Sequence, residues 1–79
     1  MNIPSKLENP NGLHSKYIIS KANGDPLEKD SEYFVLRLDT NGDPMHIEAC
    51  RKAILVYAES IKSYIPKLSS DLIDRYSVK

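Results

Sequence analysis

The 79 residues carry 11 Lys plus Arg against 11 Asp plus Glu, so the formal net charge is zero. Phosphate contacts supply most non-specific affinity for nucleic acid, and a chain without a basic excess lacks that footprint, which disfavours a polyanion partner. Cys50 is the only cysteine, which excludes an internal disulfide, and no run reaches the roughly 20 apolar residues of a membrane span.

A chain of this length holds one domain and buries only about 60% of the surface its unfolded form exposes. Small domains make up that deficit with a disulfide, a metal or a partner chain. With no disulfide and few metal ligands, self-association is the expected remedy, and the chain reads as a homo-oligomer. Residues 1–14 lack the charged start and apolar run of a signal peptide, so the expected location is cytoplasmic.

Residues 1–15 hold Pro4, Asn9, Pro10, Asn11 and Gly12, with Leu7 and Leu13 as isolated apolar side chains. Such a segment buries too little to offset its ordering entropy and reads as a flexible N-terminal arm. Residues 16–79 are expected to form a single α+β domain. Its first elements are two strands, K-Y-I-I-S-K at 16–21 and E-Y-F-V-L-R-L-D at 32–39, both rich in β-branched and aromatic residues. The connection at 22–31 holds Gly24 and Pro26 as punctuation, so an antiparallel hairpin is the economical pairing. Alternation puts Phe34, Leu36 and Leu38 on one face and Tyr33, Val35 and Arg37 on the other. Both faces are apolar, one helix covers only one of them, and a second subunit is the expected cover for the other.

Asp43 reads as an N-cap and Pro44 as the first residue of a long helix running to Pro66, which ends it. Ala49, Ala53, Val56, Tyr57, Ser60, Ile61 and Tyr64 recur at helical spacing as its apolar stripe, widened by Ile47, Ile54, Ala58 and Ile65. Glu48, Arg51, Lys52, Glu59 and Lys62 make the polar side, with Glu48 and Lys52 placed for an i,i+4 pair. Ser69 or Ser70 then caps a short last helix carrying Leu72, Ile73 and Tyr76. The expected order is β-β-α-α. The tetrapeptide N-G-D-P occurs at 23–26 and again at 41–44, but its flanks do not repeat, so shared turn chemistry explains it.

The constellations that carry chemistry are sparse. His46 and Cys50, four apart on a helix, share one face, but two ligands make no zinc site and His14 lies in the arm. Asp39, Asn41 and Asp43 begin like a calcium loop, yet Pro44 and Cys50 occupy the positions that need Gly and Glu. A thiol–imidazole pair from Cys50 and His46 lacks an orienting third group, and Asp71 with Asp74 reads as a solvated pair. Gly24 and Gly42 stand singly, so no phosphate loop is present. No cofactor and no enzymatic activity are expected.

Arg37 is the residue that stands out, because its planar fork suits carboxylate or phosphate and stacks on aromatics. One reading is an anion or nucleotide pocket at a subunit seam, formed by Arg37, Tyr33 and Tyr17 with Lys21. The other is a structural salt bridge from Arg37, for example to Asp39 or Glu32 of a neighbour. Arg51 and Lys52 on the helix are candidate partner-binding residues, set against a merely solvated face.

The pattern K-Y-I-I-S-K-x-x-G-x-P, then Y-F-V-L-R-L-D, D-P-M-H and A-x-x-x-A-x-x-x-Y-A resembles a group of small bacterial and phage-type proteins without an assigned activity. The resemblance spans residues 16–61 and implies a mobile-element setting. Small oligomers act there by sequestering a signalling molecule or blocking a host protein. The functional expectation is a non-enzymatic homo-oligomer that captures a small anionic ligand such as a nucleotide at its seams. Its alternative is a protein-interaction module that binds or inhibits a partner.

Overall fold

The computed structural model describes residues 3–77. Regular structure among them consists of two helices, α1 (Pro44–Ser60) and α2 (Pro66–Tyr76), and no strand. The expected α+β hairpin is therefore corrected to an all-helical fold, and the order β-β-α-α to α-α. Residues 16–21 and 32–39 run without a ladder, and Ile18 and Phe34 are exposed. The reason is physical. A lone two-stranded hairpin is marginal in water, and the 22–31 connection is not a tight two-residue turn that would fix a register. Apolar residues on both faces give no side a preference for the core, so nothing selects one pairing over its neighbours. The argument for a second subunit on an open hairpin face falls with the hairpin.

The chain divides into two compact units, one ending at Val35 and the other starting at Leu36. The first is held by local turns. Ser5 and Glu8 bond reciprocally, each backbone amide donating to the other's side chain at 3.1 and 3.3 Å. That contact, chiefly the Ser5 amide, holds the Glu8 carboxyl below its ordinary value. The Ser15 amide donates to the Pro4 carbonyl at 2.8 Å and so closes a loop over residues 4–15. At the first N-G-D-P the Asp25 amide donates to the Asn23 side chain, and Gly24 turns at φ +82, a region that penalises any Cβ.

The second unit is built on α1. Asp43 caps it as expected, its carboxylate accepting from the Met45 amide at 2.9 Å, with Pro44 as the first helical residue. The same tetrapeptide thus closes a turn at 23–26 and opens a helix at 41–44. The residues after each copy make the difference: D-P-M-H-I leads into a periodic apolar run and D-P-L-E-K does not.

α1 stops at Ser60, and Pro66 opens α2 rather than ending α1. Proline has no amide to donate, clashes with the carbonyl four residues earlier and drives the preceding residue out of helical space. Ile65 accordingly sits at φ −131 and ψ 74, and residues 61–65 pass through turns. Ser69 and Ser70, expected as a cap, lie inside α2, where Ser69 is fully buried.

Burial narrows the expected apolar face to the side of Ile47, Ile54, Ala58 and Ile61. Ile47, Cys50 and Ala58 are the buried apolar residues of α1, with Arg51, Ile54, Leu55 and Ile61 half-buried beside them. The stripe of Ala49, Ala53, Val56, Tyr57 and Ser60 is exposed instead, Val56 at 66%. At 100° per residue the two sets lie on roughly opposite sides of the helix. α1 packs on α2, whose Leu72, Ile73 and Tyr76 are half-buried. Small buried residues, Ala58 on α1 and Ser69 on α2, allow helices to approach closely.

Candidate functional site

The segment that leads into α1 is fastened by two arginines. Arg37 grips Asp39 with a two-pronged contact, Nε to Oδ1 at 2.7 Å and Nη2 to Oδ2 at 3.1 Å. This guanidinium hydrogen bond is the main reason the Asp39 carboxyl lies below its ordinary value. Asp39 also accepts the Asn41 amide, which turns the chain toward the Asp43 cap. Arg51, from α1, donates its Nε to the Leu38 carbonyl at 2.9 Å. Gly42 passes close to Ile47 and to the Arg37 guanidinium. A Cβ there would lie 3.1 Å from Ile47 Cδ1 and 3.5 Å from Arg37 Cζ.

Beyond that tether, the Arg51 guanidinium stands over the Tyr76 ring, its Cζ 5.4 Å from the centroid. Arg75 approaches the same ring at 5.8 Å. Each contact is a cation–π attraction, worth about 0.5–1 kcal/mol at an exposed site. Two like charges on one ring also repel, and no carboxylate ion-pairs with Arg51 or Arg75 among the described residues.

Two hollows share Arg51 and Tyr76. One, of about 380 Å³, has Pro44, Ile47, Leu55 and Tyr76 as apolar walls and Arg51 and Lys52 as cations, with Glu48 beside them. Lys52 is ion-paired with Glu48 at 3.2 Å on the exposed surface. The other, about 420 Å³, is lined by Leu38, Asp39, Arg51, Arg75 and Tyr76. Asp39 would oppose an anion here, but Arg37 already neutralises it. The arrangement offers an apolar recess on one side of Arg51 and a cationic recess on the other. A ligand with an apolar body and an anionic group matches both.

The sequence-derived site is distributed differently. Tyr17 and Tyr33 line a common cleft of about 350 Å³ in the first unit, together with Leu13, His14, Lys16 and Leu27. Lys21 is not among its lining residues. Arg37 belongs to the second unit, where it ion-pairs with Asp39 two residues along its own chain. Arg51 and Lys52, singled out as partner-binding, do line a cleft. Sequence reasoning places Arg51 on the polar face and misses Arg75 and Tyr76 as its companions. The available signal is its spacing, since Ile47, Arg51, Ile54, Ala58 and Ile61 recur at intervals of four and three.

The other candidates are quieter. Cys50 Sγ lies 3.6 Å from His46 Nε2, and Cys50 is buried. Among the described residues no group of three or more His, Cys, Asp or Glu is placed to hold a metal. Asp71 is engaged by Lys67 at 2.6 Å, a contact that raises the Lys67 pKa. Among the described residues no helix is long and apolar enough to cross a membrane. Compared with known proteins, the chain matches no family model, no curated protein and no solved structure.

Proposed function

We propose that this chain is a small non-catalytic binding protein whose helical unit captures a small anionic ligand with an apolar or aromatic body, a nucleotide being the type case. The observation that carries the reading is the pair of guanidinium groups, Arg51 and Arg75, on the ring of Tyr76. An anion between them relieves their mutual repulsion and accepts hydrogen bonds from both forks. Arg51 is the better anchored of the two, because its Nε is held by Leu38 and its remaining donors are set in direction. The recess beside Ile47 and Leu55 takes the apolar body, and Tyr76 offers it a ring surface. Binding rather than turnover is supported by the burial of Cys50, which shields the one strong nucleophile of the chain. The mobile-element setting implied by the motif resemblance belongs to the same proposal, as sequestration of a small signalling molecule.

Native mass spectrometry of the full chain, incubated with a mixture of nucleoside mono- and diphosphates, tests the reading. Retained mass that disappears in Arg51→Ala and Arg75→Ala supports it. Equal uptake by both variants and the parent chain contradicts it.

A further inference from the structure

The exposed side of α1 has a composition that solvent alone does not explain. Ala49, Ala53, Val56 and Ser60 succeed one another at intervals of four, three and four, with Met45 on the flank and His46 at the preceding seam position. That is the spacing of a helix–helix seam. All of these are exposed, Met45 at 81% and Val56 at 66%. Tyr57, itself 46% exposed, borders the stripe. The one hydroxyl on it, that of Ser60, is turned back onto the Val56 carbonyl at 2.8 Å, which removes its demand for water. This face is centred away from Arg51, and Lys52 marks the border between it and the recess there.

Charge identifies the occupant. Lys52 and Glu59 stand seven residues apart, which puts both on the same flank of the stripe with opposite signs. We infer that this face binds the same face of a second copy, with the two α1 helices antiparallel about a twofold axis between Ala53 and Val56. In that arrangement Ala53 meets Val56 of the other copy and Ala49 meets Ser60. Same-flank residues face each other across an antiparallel seam, so Lys52 meets Glu59 twice, once on each side of the axis. A parallel pair would set Lys52 beside Tyr57 and forgo both ion pairs. Antiparallel helices also align their dipoles favourably. The Glu48–Lys52 contact is no obstacle, since both side chains are exposed and a surface pair of this kind is worth little. Ala49, Ala53 and Ser60 are small enough for the helix axes to approach to about 8 Å.

Sedimentation equilibrium of the full chain over a wide concentration range tests this, with circular dichroism confirming that each variant keeps its helices. The parent mass of 9.0 kDa should rise toward twice that value with concentration. Lys52→Glu alone and Glu59→Lys alone place like charges across both contacts and should each weaken association at least tenfold. The double variant Lys52→Glu with Glu59→Lys restores opposite signs and should recover it. Glu59→Lys leaves the Glu48–Lys52 pair intact, so its effect cannot come from losing that contact. A chain that stays at 9.0 kDa throughout, or one whose association ignores all three variants, overturns the inference. Glu59→Lys separates association from retention of nucleotide, because Glu59 lines neither recess at Arg51, whereas Lys52→Glu also changes a lining residue of one of them.

Discussion

Arg51 of α1 links two parts of the helical unit through one side chain: its Nε holds the Leu38 carbonyl, and its guanidinium covers the ring of Tyr76 at the end of α2. A half-buried arginine with a fixed Nε and an aromatic support is an oriented donor rather than a solvated charge. The same side chain therefore has a stabilising part and a recognition part, and the two are separable.

Replacing Arg51 by Ala removes a charge-assisted hydrogen bond and a cation–π contact. The expected loss is about 1–2 kcal/mol, or a melting point lower by at least about 5 °C for a chain of this size. Arg51→Lys should recover little, because an ammonium point charge does not reproduce the Nε contact and the stacked plane together. Thermal melts followed by circular dichroism distinguish the three proteins, and a Lys variant as stable as the parent would refute the tether.

Asp43 closes the start of α1 by accepting the Met45 amide. Asp43→Ala should cost about 1 kcal/mol, whereas Asp43→Ser should keep most of the stability, since a hydroxyl also caps. Urea unfolding gives both differences, and equal loss in the two variants would argue against capping.

Two alanines of α1 make a sharp contrast. Ala58 is fully buried at 0% exposure, and Ala53 lies on the exposed stripe. Ala58→Leu should overpack the α1–α2 contact and cost about 1–3 kcal/mol. Ala53→Leu should stay within about 0.5 kcal/mol when measured at a concentration where the chain is monomeric. The opposite ranking would mean that Ala53, and not Ala58, faces the core.

Asp39 supplies a pH dependence. Its carboxyl titrates below the ordinary 3.8 because the Arg37 guanidinium hydrogen-bonds the charged form. A folded-state value below the unfolded one gives a contribution that is complete above pH 3.8 and lost as the pH falls through the lower folded value. Stability around neutral pH should therefore not respond to this group, and Asp39→Asn should flatten part of the decline in acid. Carboxyl-carbon NMR titration of the parent chain reads the Asp39 value directly, and a normal value would refute the grip of Arg37.

The helical start at Asp43 and Pro44 is legible in the sequence because capping chemistry is local: an acceptor, a proline and a periodic run stand in succession. The hairpin is not, for a complementary reason. Residues 16–21 and 32–39 have strand composition, but pairing is a long-range event whose cost composition does not show. The faces of α1 are ambiguous in principle, since Ile47, Ile54, Ala58 and Ile61 make one apolar stripe and Ala49, Ala53 and Val56 another. Only the position of α2 and the segment at 36–43 decides which turns inward. Pro66 reads as a stop although it serves equally well as a start, and the turn at 61–65 depends on that second role. Arg51 is legible as a candidate on the helix, while its companions Arg75 and Tyr76 are not, because they reach it only through the packing of α2 on α1.

The most direct measurement is an NMR titration of the full chain that tracks the Nε–H signals of Arg51 and Arg75 and the ring signals of Tyr76. Inorganic phosphate and adenosine monophosphate serve as separate probes. Saturable shifts of all three residues, tighter with the nucleotide than with phosphate and abolished by Arg75→Ala, are what anion binding at this pair predicts. Flat signals with both probes, or shifts confined to Lys16 and Tyr17 in the first unit, would contradict it.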